Sequence, residues 1–411
     1  MTLASILNMF RPGHRIYLAG SAGEPTALID ALVLDPERSS GIDIVTSAVP
    51  GINRFDFDKL HPTARITTLF KPPPRPNANS APRLRHLPTT YAGFVRILAA
   101  DTRGFDLVVV QVAPPDPDGW CSLGLAVEFM PSVLPKARQV IALLNHSMPN
   151  FAGAPRLHMS RFAKMVDVDT PLATYLDGPA DQVATRISEH IAPFIDDGAV
   201  IQAGIGKVPS ALVYCLRDRR RLGIHTGMLG GGVRALTESG ALDPRARHRA
   251  CVAVGSRDFY DWIADRTEFA LESCETTHDA RVLAGLQRFI AVNSAVEVDL
   301  YGQCALEYAG GVAVSGAGGA PDFARAARLC RDGLSIVALP ATANQGRRSR
   351  IVGRLSAPGV ATLARTDIDV LVTENGVADL RCLTVEERVE AIIQIAAPEF
   401  RRDLQSEWTE K

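Results

Sequence analysis

Residues 197–209, DGAVIQAGIGKVP, contain the pattern that decides the fold of this chain. Residues 199–203 form an apolar run of strand length, Gly204 and Gly206 punctuate a turn, and Pro209 suits the first turn of a helix. Residues 15–34 repeat the pattern, with a strand at 15–19, a glycine turn and a helix at 24–34. Because strand, tight turn and helix in succession build parallel sheets, the pattern predicts an α/β fold.

Further apolar runs of strand length alternate with helix-like segments. We predict strands at residues 42–47, 105–112, 139–145, 289–292, 334–339 and 369–373, and helices at 181–195 and 384–404, with Pro398 breaking the last. The proline-rich residues 71–80 are predicted to form a surface loop. A chain of 411 residues is long for one core, and residues 177–179 suit a boundary. We therefore predict two α/β domains, residues 1–179 and 180–411, each with a mostly parallel sheet flanked by helices.

Composition argues against several classes of partner. A formal net charge of −1 gives no electrostatic reason to expect a nucleic acid or an anionic membrane. No window reaches the roughly 18 unbroken apolar residues of a membrane span, and residues 1–10 lack the features of a secretory signal. The seven scattered cysteines predict reduced thiols, with neither a zinc site nor a disulfide framework. We expect a cytoplasmic protein.

Three glycine turns follow buried strands, where α/β proteins usually bind ligands. The turn at residues 204–206 precedes a helix whose free amides would suit a phosphate, although a tight structural turn is an equal alternative. Three glycines within residues 315–319 favour close backbone approach to a ligand. The turn at residues 20–23 offers amides for a carbonyl oxygen, and again an ordinary turn is an equal alternative.

Four stretches resemble the acetyl-CoA hydrolase / 4-hydroxybutyrate CoA-transferase family. They are residues 197–209, DGAVIQAGIGKVP; 293–303, NSAVEVDLYGQ; 315–323, SGAGGAPDF; and 372–381, VTENGVADLR. Looser matches at residues 114–124 and 145–149 extend the similarity over about residues 10–405. The resemblance implies two CoA-transferase-like α/β domains, commonly a homodimer, and coenzyme A or acyl-CoA as substrate with no permanently bound cofactor.

The resemblance also implies how coenzyme A is held. The predicted contacts are Gly204, Ile205, Gly206, Lys207, Val208, Ser315, Gly316, Gly318, Gly319 and Asn344. Relatives often have lysine in place of Asn344, and Arg347 or Arg348 is an alternative phosphate contact. We predict the turn of Gly20, Ser21, Ala22 and Gly23 as an oxyanion or substrate loop.

Gly227 stands where the family carries the glutamate that attacks the acyl-CoA thioester. The family's H-[ST]-E-M run is His225-Thr226-Gly227-Met228 here, and loss of a covalent nucleophile commonly costs about 10⁴–10⁶ in rate. Glu297 and Glu374 are the alternative carboxylates, but the family has glutamates at both positions alongside its nucleophile. His225 is a candidate general base. The predicted catalytic set is therefore the Gly227 position, His225 and Glu297.

This departure leaves four interpretations open. The protein acts on an acyl thioester by a hydrolytic or lyase-like route that needs no covalent glutamate. It is a CoA-transferase that uses another carboxylate. It is a catalytically silent acyl-CoA-binding or partner subunit. It is an unrelated nucleotide-binding α/β protein, which the density of motifs disfavours. The acyl group is not indicated by any single stretch.

Overall fold

A computed structural model describes residues 2–53, 55–73 and 83–409. The predicted proline-rich loop is described as far as residue 73, and its remainder, 74–80, lies outside the described residues. The strands are β1 Arg15–Leu18, β2 Asp43–Thr46, β3 Arg65–Thr68, β4 Leu84–His86, β5 Phe105–Val112, β6 Trp120–Ser122, β7 Ala137–Asn145, β8 Arg156–His158, β9 Lys164–Val168, β10 Val200–Ala203, β11 Gly223–Ile224, β12 Met228–Gly230, β13 His248–Ala250, β14 Val252–Val254, β15 Phe269–Leu271, β16 Phe289–Ser294, β17 Glu297–Asp299, β18 Cys304–Ala305, β19 Tyr308–Ala309, β20 Val312–Ala313, β21 Leu334–Ala338, β22 Thr342–Ala343, β23 Arg348–Ser349, β24 Ile351–Val352, β25 Val370–Thr373 and β26 Gly376–Asp379. The α-helices are α1 Leu3–Leu7, α2 Thr26–Leu34, α3 Tyr91–Ala100, α4 Met130–Val133, α5 Gln182–Ile191, α6 Lys207–Cys215, α7 Val233–Glu238, α8 Arg257–Ile263, α9 Cys274–Thr277, α10 Ala280–Ala284, α11 Ala320–Leu329, α12 Val385–Gln394 and α13 Arg401–Thr409.

The chain forms two compact units, and neither is a continuous piece of sequence. The first contains Met1–Tyr175 and Arg249–Thr277, and the second contains Leu176–His248 and His278–Lys411. Backbone hydrogen bonds attach residues 249–277 to the first unit. Val127 N donates to Cys251 O (3.0 Å), and Leu271 N donates to Gly153 O (2.9 Å). The predicted division into residues 1–179 and 180–411 differs from these units at residues 176–179 and at residues 249–277. The second difference arises because long-range pairing leaves no local mark in the sequence.

The first unit is built on a seven-stranded sheet of order β4-β3-β2-β1-β5-β7-β9. Each adjacent pair is parallel. Ile16, Val109 and Ile141 are fully buried at its centre. A parallel strand covered on both faces reads as a continuous apolar run, and for that reason the predicted strands at 15–19, 42–47, 105–112 and 139–145 are confirmed to within two residues.

The second unit is built on a six-stranded sheet of order β11-β10-β16-β21-β25-β26. Its pairs are parallel except β25–β26, which is an antiparallel hairpin. Val337, Leu371 and Ile392 are fully buried in its core. The predicted fold class is therefore confirmed: both units are α/β, with mostly parallel sheets flanked by helices.

The predicted helix at 384–404 is two helices. A capping box starts α12: Glu387 N donates to Thr384 Oγ1 (3.3 Å), and Thr384 N donates to Glu387 Oε2 (2.7 Å). The helix ends at Gln394, and Pro398 then opens a short 3₁₀ turn that leads into α13. The break comes before the proline because proline suits the start of a turn and disfavours helical backbone in the residue preceding it.

The seven cysteines all lie within the described ranges and are free thiols. Five are buried, Cys215 is half-buried and Cys382 is exposed. Among the helices of the described residues, none is long and apolar enough to cross a membrane.

Candidate active site

The glycine turn of residues 204–206 joins β10 to α6 and is open. Among the described residues, a methyl group added at Gly204 or Gly206 would meet no atom within 4 Å beyond its chain neighbours. Gly206 has a φ of +120°, which side-chain-bearing residues rarely adopt, so the backbone requires glycine there. Its amide donates to Asp177 Oδ1 (2.5 Å), and Ser210 Oγ donates to Asp177 Oδ2 (2.5 Å). The amide of Gly206 is therefore not free in this structure, because the Asp177 carboxylate accepts its hydrogen bond.

The side chain of Lys207, the first residue of α6, is also paired within the protein. Its Nζ lies 2.8 Å from Asp181 Oδ2, and this hydrogen bond lowers the pKa of the Asp181 carboxyl. Both side chains are about half exposed, so the pair contributes little to stability. Ile205 is half-buried and Val208 is buried. The predicted coenzyme A loop thus presents an open backbone, with an acidic residue bound at its amide and another at its lysine.

Gly227 lies between β11 and β12, in the second unit. A methyl group added there would stand 3.3 Å from His278 Nε2 and 3.6 Å from Phe323 Cε2. A methyl group added at Gly319 would stand 2.4 Å from the same Nε2. The structure therefore brings two sequence-predicted positions, Gly227 and Gly319, together around one imidazole. No local sequence pattern marks His278, which is one of nine dispersed histidines, and only packing places it here.

The surroundings of His278 keep its imidazole neutral. The side chain is 1% exposed, and its ring centroid lies 4.6 Å from that of Phe323. Burial lowers the pKa of His278 to about 3, and the nearby His225 acts in the same direction. His225 is itself buried, 6.3 Å from Phe289 between ring centroids. At neutral pH the imidazole of His278 therefore carries no charge.

The loop that holds Ser315, Gly316 and Gly318 runs between β20 and α11, and Gly319 is the residue before α11. Gly318 has a φ of +56°, a conformation that favours glycine. Asn344 lies elsewhere, exposed in the turn of the β22–β23 hairpin. Among the predicted coenzyme A contacts, Gly319 in the loop of residues 315–319 therefore lies beside the same His278 imidazole as Gly227.

Glu297, a predicted catalytic residue, is fully engaged by its neighbours. It is 5% exposed, and its Oε2 accepts from Arg348 Nη2 and Ser356 Oγ, both at 2.8 Å. Its Oε1 accepts from Ser356 N at 2.6 Å. Glu374, the other candidate carboxylate, accepts from Ala341 N at 2.8 Å. These bonds hold both carboxylates in place as acceptors and occupy Arg348, one of the two arginines considered for a phosphate.

The predicted oxyanion turn of Gly20, Ser21, Ala22 and Gly23 lies in the first unit and is buried. Three of its amides are used internally. Gly20 N donates to Ser47 Oγ (3.0 Å), Ser21 N donates to Asn53 Oδ1 (2.8 Å), and Gly23 N donates to Gly20 O (3.0 Å). These bonds favour the alternative of a structural turn, because the amides expected to hold a carbonyl oxygen are occupied.

Glu128 lies beneath this turn, and sequence analysis missed it. Its carboxylate accepts from Ser21 Oγ (2.8 Å) and Ser47 Oγ (2.9 Å). Burial raises the pKa of Glu128 to about 7, although both serines act in the opposite direction. A single carboxylate inside the apolar run at residues 123–130 was the available signal, since a charge there has to be buried with partners.

Two sequence profiles of one family match this chain. The acetyl-CoA hydrolase/transferase N-terminal domain matches residues 1–170, and the C-terminal domain of the same name matches residues 255–408.

Individual proteins are similar over almost the whole length. A 4-hydroxybutyrate coenzyme A transferase of Clostridium kluyveri is 30% identical over 403 residues, which cover 97% of this chain and 94% of the relative. A succinyl-CoA:cyclohexane-1-carboxylate CoA transferase of Geobacter metallireducens is 28% identical over 390 residues, covering 93% and 89%. Among solved structures, RipA from Yersinia pestis superposes with a TM-score of 0.89 at 26% identity, covering 100% and 96%. With both domain profiles matched in order and a relative at this identity, the chain belongs to the acetyl-CoA hydrolase/transferase family.

Proposed function

We propose that this protein is an enzyme acting on an acyl-CoA, or a related acyl thioester, by a hydrolytic or lyase-like route without a covalent glutamate. The observation that carries the proposal is the neutral His278 imidazole, whose Nε2 lies 3.3 Å from the point where a side chain at Gly227 would begin. A carboxylate nucleophile is missing from the family's position, and an uncharged hydrogen-bonding group lies beside it. A water molecule at Gly227 would lie close to this ring nitrogen.

In the hydrolytic form of the reaction, water attacks the thioester carbonyl. A C–O bond forms, the C–S bond breaks, and the proton lost by the water ends on the departing CoA thiolate. His278 has too low a pKa to hold that proton at neutral pH, so we assign it the role of accepting a hydrogen bond from the water and orienting it. His225 lowers the pKa of His278 and is the second residue of the proposed site.

Coenzyme A is proposed to lie along the two glycine loops. The proposed contacts in these loops are Gly204, Ile205, Gly206, Lys207, Val208, Ser315, Gly316, Gly318 and Gly319, and Asn344 in the β22–β23 turn is a further proposed contact. Support comes from the open turn at residues 204–206, where no atom lies within 4 Å of an added methyl group at either glycine. We further propose that the protein is cytoplasmic and has no permanently bound cofactor. We also propose that it is a homodimer, and light scattering of the purified protein tests this oligomeric state.

The test is incubation of the purified protein with a panel of acyl-CoAs, with and without acetate, followed by mass spectrometry of protein and small molecules. Free CoA without acetate, and no adduct on the protein, is the expected result. Acetyl-CoA formed only with acetate, together with a CoA adduct on a carboxylate, would contradict the proposal and establish a transferase. Acyl-CoA that binds but stays unchanged would contradict it in favour of a silent binding protein.

Restoring the family residue tests the assignment of Gly227. The added Cβ of Gly227→Glu requires His278 to shift by a few tenths of an ångström, and the backbone at Gly227 is not in the left-handed region. We expect Gly227→Glu to gain acetate-dependent CoA transfer, measured as acetyl-CoA formation, while the matched control Gly227→Gln gains none. A folded Gly227→Glu protein that binds CoA and exchanges nothing would contradict the assignment.

A further inference from the structure

The second unit contains a cavity that the proposed chemistry does not use. It lies between α6, α7 and the carboxyl ends of β10 and β11, and its volume is about 60 Å³. This volume is several times the roughly 10–15 Å³ that one water molecule needs in a cavity. Leu212, Leu216 and Leu236 line it, and each is at most 2% exposed. Its walls are therefore mostly hydrocarbon.

The polar groups that line the cavity are bound to one another. Each carboxylate oxygen of Asp177 accepts one short hydrogen bond, from Gly206 N and from Ser210 Oγ. Thr226 Oγ1 donates to Ala203 O at 2.8 Å. A hydroxyl or carboxylate brought in by a ligand would lose water and find few partners, which is costly. The cavity thus favours an apolar occupant.

The cavity adjoins the chain segment that contains Gly227. Thr226 and Met228 line it, and they flank Gly227 on both sides. Gly204, in the proposed coenzyme A loop, lines it as well. The added methyl group at Gly227 would instead point toward His278 and Phe323. The segment at residues 226–228 thus has the imidazole beside its glycine and the apolar cavity beside the residues on either side.

We propose that this cavity binds the hydrocarbon chain of the acyl group, so that the substrates are acyl thioesters with apolar chains longer than acetyl. The assignment rests on the proposed function, because it takes the thioester to lie at Gly227. Hydroxyacyl and dicarboxylic acyl chains are excluded from the cavity, since their polar ends would be buried without partners. The apolar contacts come from α6, α7 and the two strands, and Asp177 closes the polar edge.

Affinity for unreactive thioethers tests this. S-ethyl-, S-butyl- and S-hexyl-CoA are titrated calorimetrically, with S-(3-carboxypropyl)-CoA as the polar comparison. We expect affinity to rise about fourfold for each methylene that the cavity takes up, and the carboxylated thioether to bind no more tightly than S-ethyl-CoA. Equal affinity for the ethyl and hexyl compounds, or tight binding of the carboxylated one, would overturn the inference.

A variant that fills the cavity locates the effect. Val213 lies on α6 and lines the cavity. Val213→Phe should abolish the rise in affinity from S-ethyl-CoA to S-hexyl-CoA while leaving the affinity for S-ethyl-CoA unchanged. Val377→Phe, an exposed position on β26, is the matched control and should retain the gain. Ala203→Leu fills the cavity from the strand side and replaces Val213→Phe should that variant fail to fold. If affinity still rises with chain length in a variant whose cavity is filled, the inference is overturned.

The two proposals fail in different ways. Because the thioethers do not react, their affinities are independent of turnover. Chain-length-dependent binding with no release of CoA from any acyl-CoA contradicts the proposed function and leaves the apolar cavity in place. Release of CoA at equal rates from acetyl-, butyryl- and hexanoyl-CoA, with flat thioether affinities, contradicts the cavity assignment and leaves the proposed function in place.

Discussion

Two glycine turns follow parallel strands in this protein, and they use glycine for opposite reasons. At Gly20 a methyl group would stand 2.2 Å from the backbone oxygen of Ser47, so glycine is required by packing. At Gly204 a methyl group would meet nothing within 4 Å. The first turn is a buried structural element, whereas the second leaves backbone open. The space beside the glycine therefore distinguishes the two turns, and the open one is the turn proposed to bind coenzyme A.

Adding one methyl group to each turn should separate the two cases most strongly. We expect Gly20→Ala to destabilise the protein by about 3 kcal/mol, because the obstacle is backbone rather than a movable side chain. Gly204→Ala should change stability by less than about 1 kcal/mol, since its backbone and surroundings accept a methyl group. Thermal unfolding of both variants measures this. Equal melting temperatures for the two would break the comparison.

A carboxyl group supports each turn, and the buried one should make stability depend on pH. The pKa of Glu128 is about 7 in the folded protein against an ordinary value of 4.5. The folded state thus binds its proton more tightly, so this contribution is fully present below pH 4.5 and is lost as the pH rises through 7. The difference in unfolding free energy between Glu128→Gln and the parent should shift by about 3 kcal/mol between pH 4.5 and pH 8, in favour of the variant at high pH.

Urea unfolding at several pH values measures that shift. The exposed Glu399→Gln is the control and should give a difference that is constant with pH. Parallel curves for Glu128→Gln and the parent would mean that folding leaves the pKa of the carboxyl beneath the first turn unchanged.

The smallest effect is expected at the open turn. Asp177→Asn weakens the hydrogen bonds from Gly206 N and Ser210 Oγ, because a charged acceptor becomes neutral. We expect a loss of about 1 kcal/mol in unfolding free energy at pH 7, with Asp218→Asn, at an exposed position, unchanged. An Asp177→Asn protein as stable as the parent would show that the second turn holds its shape without the carboxylate.

Much of the fold was predictable, because buried parallel strands such as Phe105–Val112 are continuous apolar runs that need no context. The site was predictable only in its backbone part. Gly227 and Gly319 are prominent in the sequence, but the imidazole beside them comes from a histidine without a distinctive local pattern. Likewise Asp177 looked like part of a boundary, and only the folded chain places its carboxylate on Gly206. Side chains contributed by distant segments leave no mark in local periodicity or spacing.

The discontinuous make-up of the first unit has a consequence for biosynthesis. Its last piece, Arg249–Thr277, leaves the ribosome only after residues 176–248, which belong to the second unit. At common translation speeds those intervening residues take about 4 to 15 seconds to make. During that time the nascent first unit lacks the strand that bonds to Gly153 and the segment that bonds to Val127. The second unit also begins to emerge before the first is finished, so the first unit cannot complete its native pairing before part of the second has been synthesised.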